Sequence, residues 1–130
     1  MVKRISPQDA QELLTSGRGF TYVDVRTPPE FAAGRPVGSV NIPAFNLGAG
    51  GMVPNPQFLE QVSARFSREA PLILGCKSGG RSLRAAELLL AAGFTGVVDQ
   101  RAGFEGARDS SGRLVEAGWA NAGLPVESGS

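Results

Sequence analysis

One stretch of this chain has the residue types for covalent chemistry: Leu72-Ile73-Leu74-Gly75-Cys76-Lys77-Ser78-Gly79-Gly80-Arg81-Ser82. An apolar run leads straight into the chain's only cysteine. A short loop of glycines and cations follows, and then a helical pattern begins. Gly79 and Gly80 let the backbone turn tightly and present its N–H groups. A helix starting near Arg81 aims its positive N-terminus at whatever the loop encloses. Both features favour a thiolate, so Cys76 is expected to be more acidic than a free cysteine. The pattern predicts a cradle for an anion, with amide hydrogens ringing a solvent-exposed nucleophilic sulfur.

The elements that must position this loop can be read outward from it. Leu72-Ile73-Leu74 is uniformly apolar, as a strand covered on both faces should be. Ser82 to Ala92 is rich in leucine and alanine and reads as a largely buried helix, with Gly93 as its stop and Phe94 folding back over the last turn. Upstream, Ser6-Pro7 opens a helix with a hydroxyl cap and a proline at the first helical position, and Gly17 closes it. Phe20 to Val25 is aromatic and β-branched and reads as a strand. Thr27-Pro28-Pro29-Glu30 matches a capping box for a short helix ending at Gly34; capping alone accounts for Glu30. Val40 to Pro43 is a short strand. The glycines between Asn46 and Asn55 predict a mobile loop, which could also rim the site. Phe58, Leu59, Val62 and Phe66 recur at helical spacing as a buried stripe. Val97-Val98 reads as the last strand. Ala107 to Glu116 reads as a surface loop, Trp119 and Leu124-Pro125 as a closing segment packed back on the body, and residues 127–130 as a frayed tail. Alternation of strands and helices argues for a parallel sheet covered on both sides.

Composition narrows the function further. A chain of 130 residues fits one compact domain. Thirteen basic against twelve acidic residues give no electrostatic argument for nucleic acid or a membrane surface as partner. No apolar run approaches the roughly 20 residues of a membrane span, and Met1 to Ile5 lacks the apolar stretch of a signal peptide. A lone cysteine forms no internal disulfide, which points to a reducing, cytoplasmic setting. The chain has no histidine. Ser-His and Cys-His mechanisms are therefore excluded, as are most zinc sites.

The motifs together resemble the rhodanese (thiosulfate sulfurtransferase) family. Asp24-Val25-Arg26-Thr27-Pro28-Pro29-Glu30-Phe31, Gly34-Arg35 and Gly38 to Pro43 are similar to its N-terminal signature. Cys76 to Ser82 is similar to its active-site loop, and Ala92-Gly93-Phe94 with Gly123-Leu124-Pro125 to its C-terminal signature. The resemblance implies a single α/β domain over residues 1–130, with an open parallel sheet of about five strands and helices on both faces. It also implies a two-step sulfur shuttle needing no metal or organic cofactor. Cys76 takes the outer sulfur of a small donor such as thiosulfate, and cyanide or a thiol then removes it, a covalent ping-pong scheme. N–H groups from Lys77, Ser78, Gly79, Gly80, Arg81 and Ser82 would surround the terminal sulfur as a nest. Arg81 would offer paired donors to substrate or loop, and Lys77 a flexible cation at the mouth. Asp24 and Arg26 reach the same sheet edge, where ligands gather in such folds; a hydrogen-bonded pair fixing the neighbouring turn is the plainer reading of them. The chain's alanine- and arginine-rich character fits a bacterial source, with an organellar one left open by the likeness to small plastid forms.

The same fold hosts phosphatases and arsenate reductases, whose loops hold one more residue between cysteine and arginine. The six residues from Cys76 to Arg81 match the shorter, sulfur-transferring version. Two further alternatives stay open: a persulfide-carrying module that delivers sulfur to a protein thiol, and a silent interaction domain. Three departures from the family pattern stand out. Gly75 replaces a bulkier strand residue, Gln100 to Gly106 lacks the usual pair of glycines and tryptophan, and Ala107 to Glu116 looks inserted before a final helix.

Overall fold

The computed structural model describes residues 1–129. In chain order the elements are β1 (Lys3–Ile5), α1 (Pro7–Leu14), β2 (Thr21–Asp24), α2 (Pro28–Ala33), β3 (Arg35–Pro36), β4 (Val40–Asn41), β5 (Phe45–Gly48), β6 (Gly51–Pro54), α3 (Phe58–Arg65), β7 (Leu72–Gly75), α4 (Gly80–Ala91), β8 (Val97–Gln100), β9 (Ala107–Arg108), β10 (Leu114–Glu116) and β11 (Val126–Glu127). Five of the strands form one sheet in the order β1-β8-β7-β2-β4, and every pair in it is parallel.

The side-chain alternation of a strand divides the interior into two layers. Leu72 and Leu74 of β7, with Val23 of β2, face a core closed by Phe58 and Val62 of α3 and by Ala85, Ala86 and Leu89 of α4. Ile73 and Tyr22 face the opposite layer, closed by Ala10 of α1 and by Trp119. Helices therefore cover both faces, the architecture the motifs imply. Local signals set the helix ends as the sequence predicts. Ser6 Oγ accepts the Asp9 amide at 3.1 Å and caps α1. Past α4, Gly93 has φ of 97° and the Phe94 N–H returns to the Leu89 carbonyl at 3.0 Å.

Strand order fixes where a ligand can sit. The connection leaving β2 runs outward to β4, whereas the one leaving β7 runs the other way to β8. Adjacent parallel strands whose exits diverge leave a crevice at their carboxyl ends. Cys76 follows β7 and Arg26 follows β2, so both stand at that crevice.

Several segments differ from expectation. Lys3–Ile5, unread as a strand, pairs with β8 as a sheet edge. The glycine-rich stretch from Asn46 to Asn55 is mostly a hairpin, β5 with β6. Ala107 to Glu116 is a second hairpin, turned by Asp109, whose Oδ1 accepts from the Ser111 and Arg113 amides at 3.0 Å. No α-helix follows it among the described residues; 117–125 are turns and irregular backbone. Residue 127 is not frayed: β11 pairs antiparallel with β3, and the Gly129 amide reaches the Ala32 carbonyl at 2.8 Å. Of the predicted tail, Ser130 lies outside the described residues.

Candidate active site

The site begins where β7 ends. Gly75, the last residue of β7, packs against the ring of Tyr22, and a Cβ there would overlap the Tyr22 hydroxyl. That explains the missing bulk at this position: the volume is filled from β2 instead. Cys76 comes next, and the Gly79 N–H points at its Sγ from 3.1 Å. Gly79 holds a left-handed φ of 107° and caps α4. A side chain at Gly79 would strike the Arg101 carbonyl, so glycine is required there on both counts. The first-turn N–H groups of α4, from Gly80, Arg81 and Ser82, have no acceptor within the helix and leave a positive end beside the cysteine.

A second layer supports the loop from behind. The Phe104 and Glu105 amides donate to the Cys76 and Lys77 carbonyls, both at 2.8 Å. This supporting turn is built by Gln100, fully buried at the end of β8. Its Oε1 accepts the Ala102 and Gly103 amides at 2.8 and 2.9 Å, while its Nε2 donates to the Gly103 carbonyl and the Tyr22 hydroxyl. Gly103, at φ of 69°, lies against the Lys77 carbonyl where no Cβ fits. One glycine of the usual pair is thus indispensable. Ala102 takes the other place, fully buried and without a positive φ.

The predicted site residues fall into three groups. Lys77, Ser78 and Gly80 are exposed at the mouth, with Lys77 Nζ 4.0 Å from Glu105. Arg81 is partly buried and committed to a partner that sequence reasoning missed: its two terminal nitrogens donate to the two oxygens of Glu30 at 2.9 and 3.1 Å. Glu30 therefore does more than cap. It also accepts the Thr27 amide and hydroxyl, both at 3.0 Å. Burial pushes its carboxyl up, but the Arg81 and Thr27 hydrogen bonds more than reverse that and bring it down to about 2. The third group is buried away from the mouth. The Ser82 hydroxyl is enclosed and donates to the Gly79 carbonyl at 3.4 Å, so it braces the loop from within rather than facing the mouth. Arg26 forks onto Asp24 with contacts of 2.7 to 3.1 Å, donates to the Gly34 carbonyl at 2.6 Å, and stacks 4.5 Å from the Phe104 ring centre. This pair fixes the turn from β2 into α2: Nε and Nη2 are committed to Asp24 and Gly34, while Nη1 takes no partner among the described residues.

The expectation of an exposed thiol needs correction. Cys76 is only 2% exposed, within the core layer of Leu74 and Ala85. The sulfur is recessed beneath its loop, and the loop amide at Gly79 is the feature aimed at it. Beside the loop a cleft of about 190 Å³ is walled by Arg26, Glu30 and Phe104. A separate apolar hollow under the β5–β6 hairpin, lined by Phe45, Phe58 and Leu88, includes none of these groups.

Residues 6–110 match the rhodanese-like domain family. The chain belongs to that family. It is 45% identical over 123 residues to the chloroplastic thiosulfate sulfurtransferase 16 of Arabidopsis thaliana, covering 95% of this chain and 91% of that protein. It is 37% identical over 103 residues to the thiosulfate sulfurtransferase GlpE of Ectopseudomonas mendocina, covering 79% and 82%. The crystal structure of Rv0390 from M. tuberculosis superposes with a TM-score of 0.80 at 32% identity, over 98% of each chain. Other rhodanese-like relatives are longer; this chain spans 51% of the senescence-associated protein DIN1 of Raphanus sativus. Plastid and bacterial rhodanese-like proteins both stand among these relatives, the two kinds of source the sequence left open.

Proposed function

We propose that this rhodanese-like domain is a sulfurtransferase in which Cys76 carries the sulfur as a persulfide. The observation behind the reading is the Gly79 N–H directed at Cys76 Sγ from 3.1 Å, at the carboxyl end of β7 and inside a six-residue loop. The thiol loses its proton to solvent and the thiolate attacks the outer sulfur of thiosulfate. A new S–S bond forms at Cys76, the donor's own S–S bond breaks, and the electron pair departs with sulfite. Cyanide or a thiolate then attacks the terminal sulfur, and Cys76 leaves as thiolate. The hydrogen bond from the fixed Gly79 amide stabilises the anionic sulfur without reorganising. Relatives named thiosulfate sulfurtransferase support the choice of donor.

Intact-mass measurement after incubation with thiosulfate tests the covalent step. One added sulfur atom is expected, removed by cyanide or a reductant, and absent from Cys76→Ser. An unmodified wild-type chain, or a Cys76→Ser chain with full thiosulfate:cyanide activity, would overturn the reading.

A further inference from the structure

Behind the loop, on the side away from the mouth, sits a charged pair that neither capping nor core packing explains. Arg4 of β1 and Asp99 of β8 are register partners in neighbouring parallel strands, which brings their side chains together. Arg4 Nε donates to Asp99 Oδ2 at 2.8 Å, and Arg4 Nη2 donates to the Gly79 carbonyl at 3.2 Å. One guanidinium thus spans from the sheet to the residue whose N–H meets Cys76 Sγ. Gly79 is packed to match. A Cβ on it would lie 3.1 Å from Arg4 Nη2 and would overlap the Arg101 carbonyl.

We propose that Arg4 and Asp99 are positioning residues for sulfur transfer: the guanidinium, seated on the Asp99 carboxylate, grips the Gly79 carbonyl and so keeps the Gly79 N–H on the Cys76 sulfur. This rests on the reading of Cys76 as the sulfur-carrying nucleophile. The cost of the arrangement is what marks it as functional. Asp99 is completely buried, with Arg4 on its Oδ2 and the Ser82 hydroxyl the other polar group acting on it, and its Oδ1 makes no close hydrogen bond among the described residues. Burial raises the carboxyl above its ordinary range, against the pull of Ser82 and Arg4. A carboxylate taken wholly out of water on so few partners is destabilising, whereas a valine would have continued the apolar run of Val97-Val98 at no such cost. The fork geometry of arginine matters too, because two acceptors in different elements are held by one rigid group.

The test uses the whole chain, uniformly labelled for amide NMR, with sulfur uptake from thiosulfate followed by mass in parallel. In Arg4→Ala and Asp99→Asn the Gly79 amide resonance is expected to shift and its hydrogen exchange to quicken. Sulfur uptake is expected to slow about ten-fold, the scale of losing a hydrogen bond to a charged atom. Arg4→Lys keeps the charge but not the two-ended fork, so it is expected to lose as much. An unchanged Gly79 resonance with unchanged uptake overturns the proposal, as does a drop in melting temperature alone. Full recovery in Arg4→Lys overturns the gripping role in favour of simple charge. Should Asp99→Asn fail to fold, Arg4→Ala at the sheet edge decides alone. A wild-type chain that takes up no sulfur defeats the sulfurtransferase reading and leaves the Gly79 measurement standing.

Discussion

Glu30 holds two parts of the molecule at once. It closes the first turn of α2 through Thr27, and it pins Arg81, so that α2 and the start of α4 are tied across the crevice. Its carboxyl sits at about 2 against an ordinary 4.5. A depressed carboxyl contributes its full stabilisation above the ordinary value and loses it as pH falls through 4.5 toward 2. Glu30→Gln is therefore expected to lower the urea midpoint at pH 6 and to differ much less from wild type at pH 2.5. An equal deficit at both values would show that the charge on Glu30 contributes nothing. This second role could not be read from the chain. A threonine three residues before a glutamate announces a cap locally, but nothing in sequence links Glu30 to an arginine 51 positions away. Cys76 and its loop were legible for the opposite reason: nucleophile, glycines and helix start are contiguous.

At the scale of elements, β7 ends well only because β2 supplies a complementary shape. The Tyr22 ring occupies the space over Gly75, and its hydroxyl accepts from Gln100 at 3.2 Å. Gly75→Ala forces that ring to move within a packed layer. It is expected to cost about 1–3 kcal/mol, the usual penalty for overfilling a core. Denaturant unfolding with an unchanged slope would measure it; an unaltered midpoint would mean that Tyr22 can swing aside freely. The long, periodic elements were the easiest to foresee, because α1, α3, α4 and β7 carry caps, stripes or apolar runs of their own. The hairpins were not, since glycine-rich stretches such as Gly48 to Gly51 signal a turn but not the strands beside it. β1 was missed because three residues are too few to display an alternation, and its place is set by pairing with β8.

Across the whole molecule, the closing segment after β10 acts as the missing cover of the second layer. Trp119 is buried and packs edge-on against Tyr22 with ring centres 5.5 Å apart. Its Nε1 donates to the Pro125 carbonyl at 2.7 Å. Tyr22 in turn lies beneath Gly75, so the chain's end is mechanically joined to the strand that presents the thiol. Trp119→Ala is expected to destabilise the fold by about 3–5 kcal/mol, read from chemical denaturation. A loss below about 1 kcal/mol would show that the segment merely rests on the surface. The sequence revealed that this tryptophan packs inward but not what it packs on, because Tyr22 and Trp119 belong to opposite ends of the chain.

The depth of the single sulfur also governs what this protein does in an oxidising medium. Linking two copies through a disulfide would require their sulfurs to meet at about 2 Å, and a residue only 2% exposed cannot meet its equivalent while each lies recessed beneath its own loop. Non-reducing electrophoresis of peroxide-treated chain should accordingly run as single chains. Any larger thiol that trades sulfur with Cys76 must bring it on a slender, protruding end.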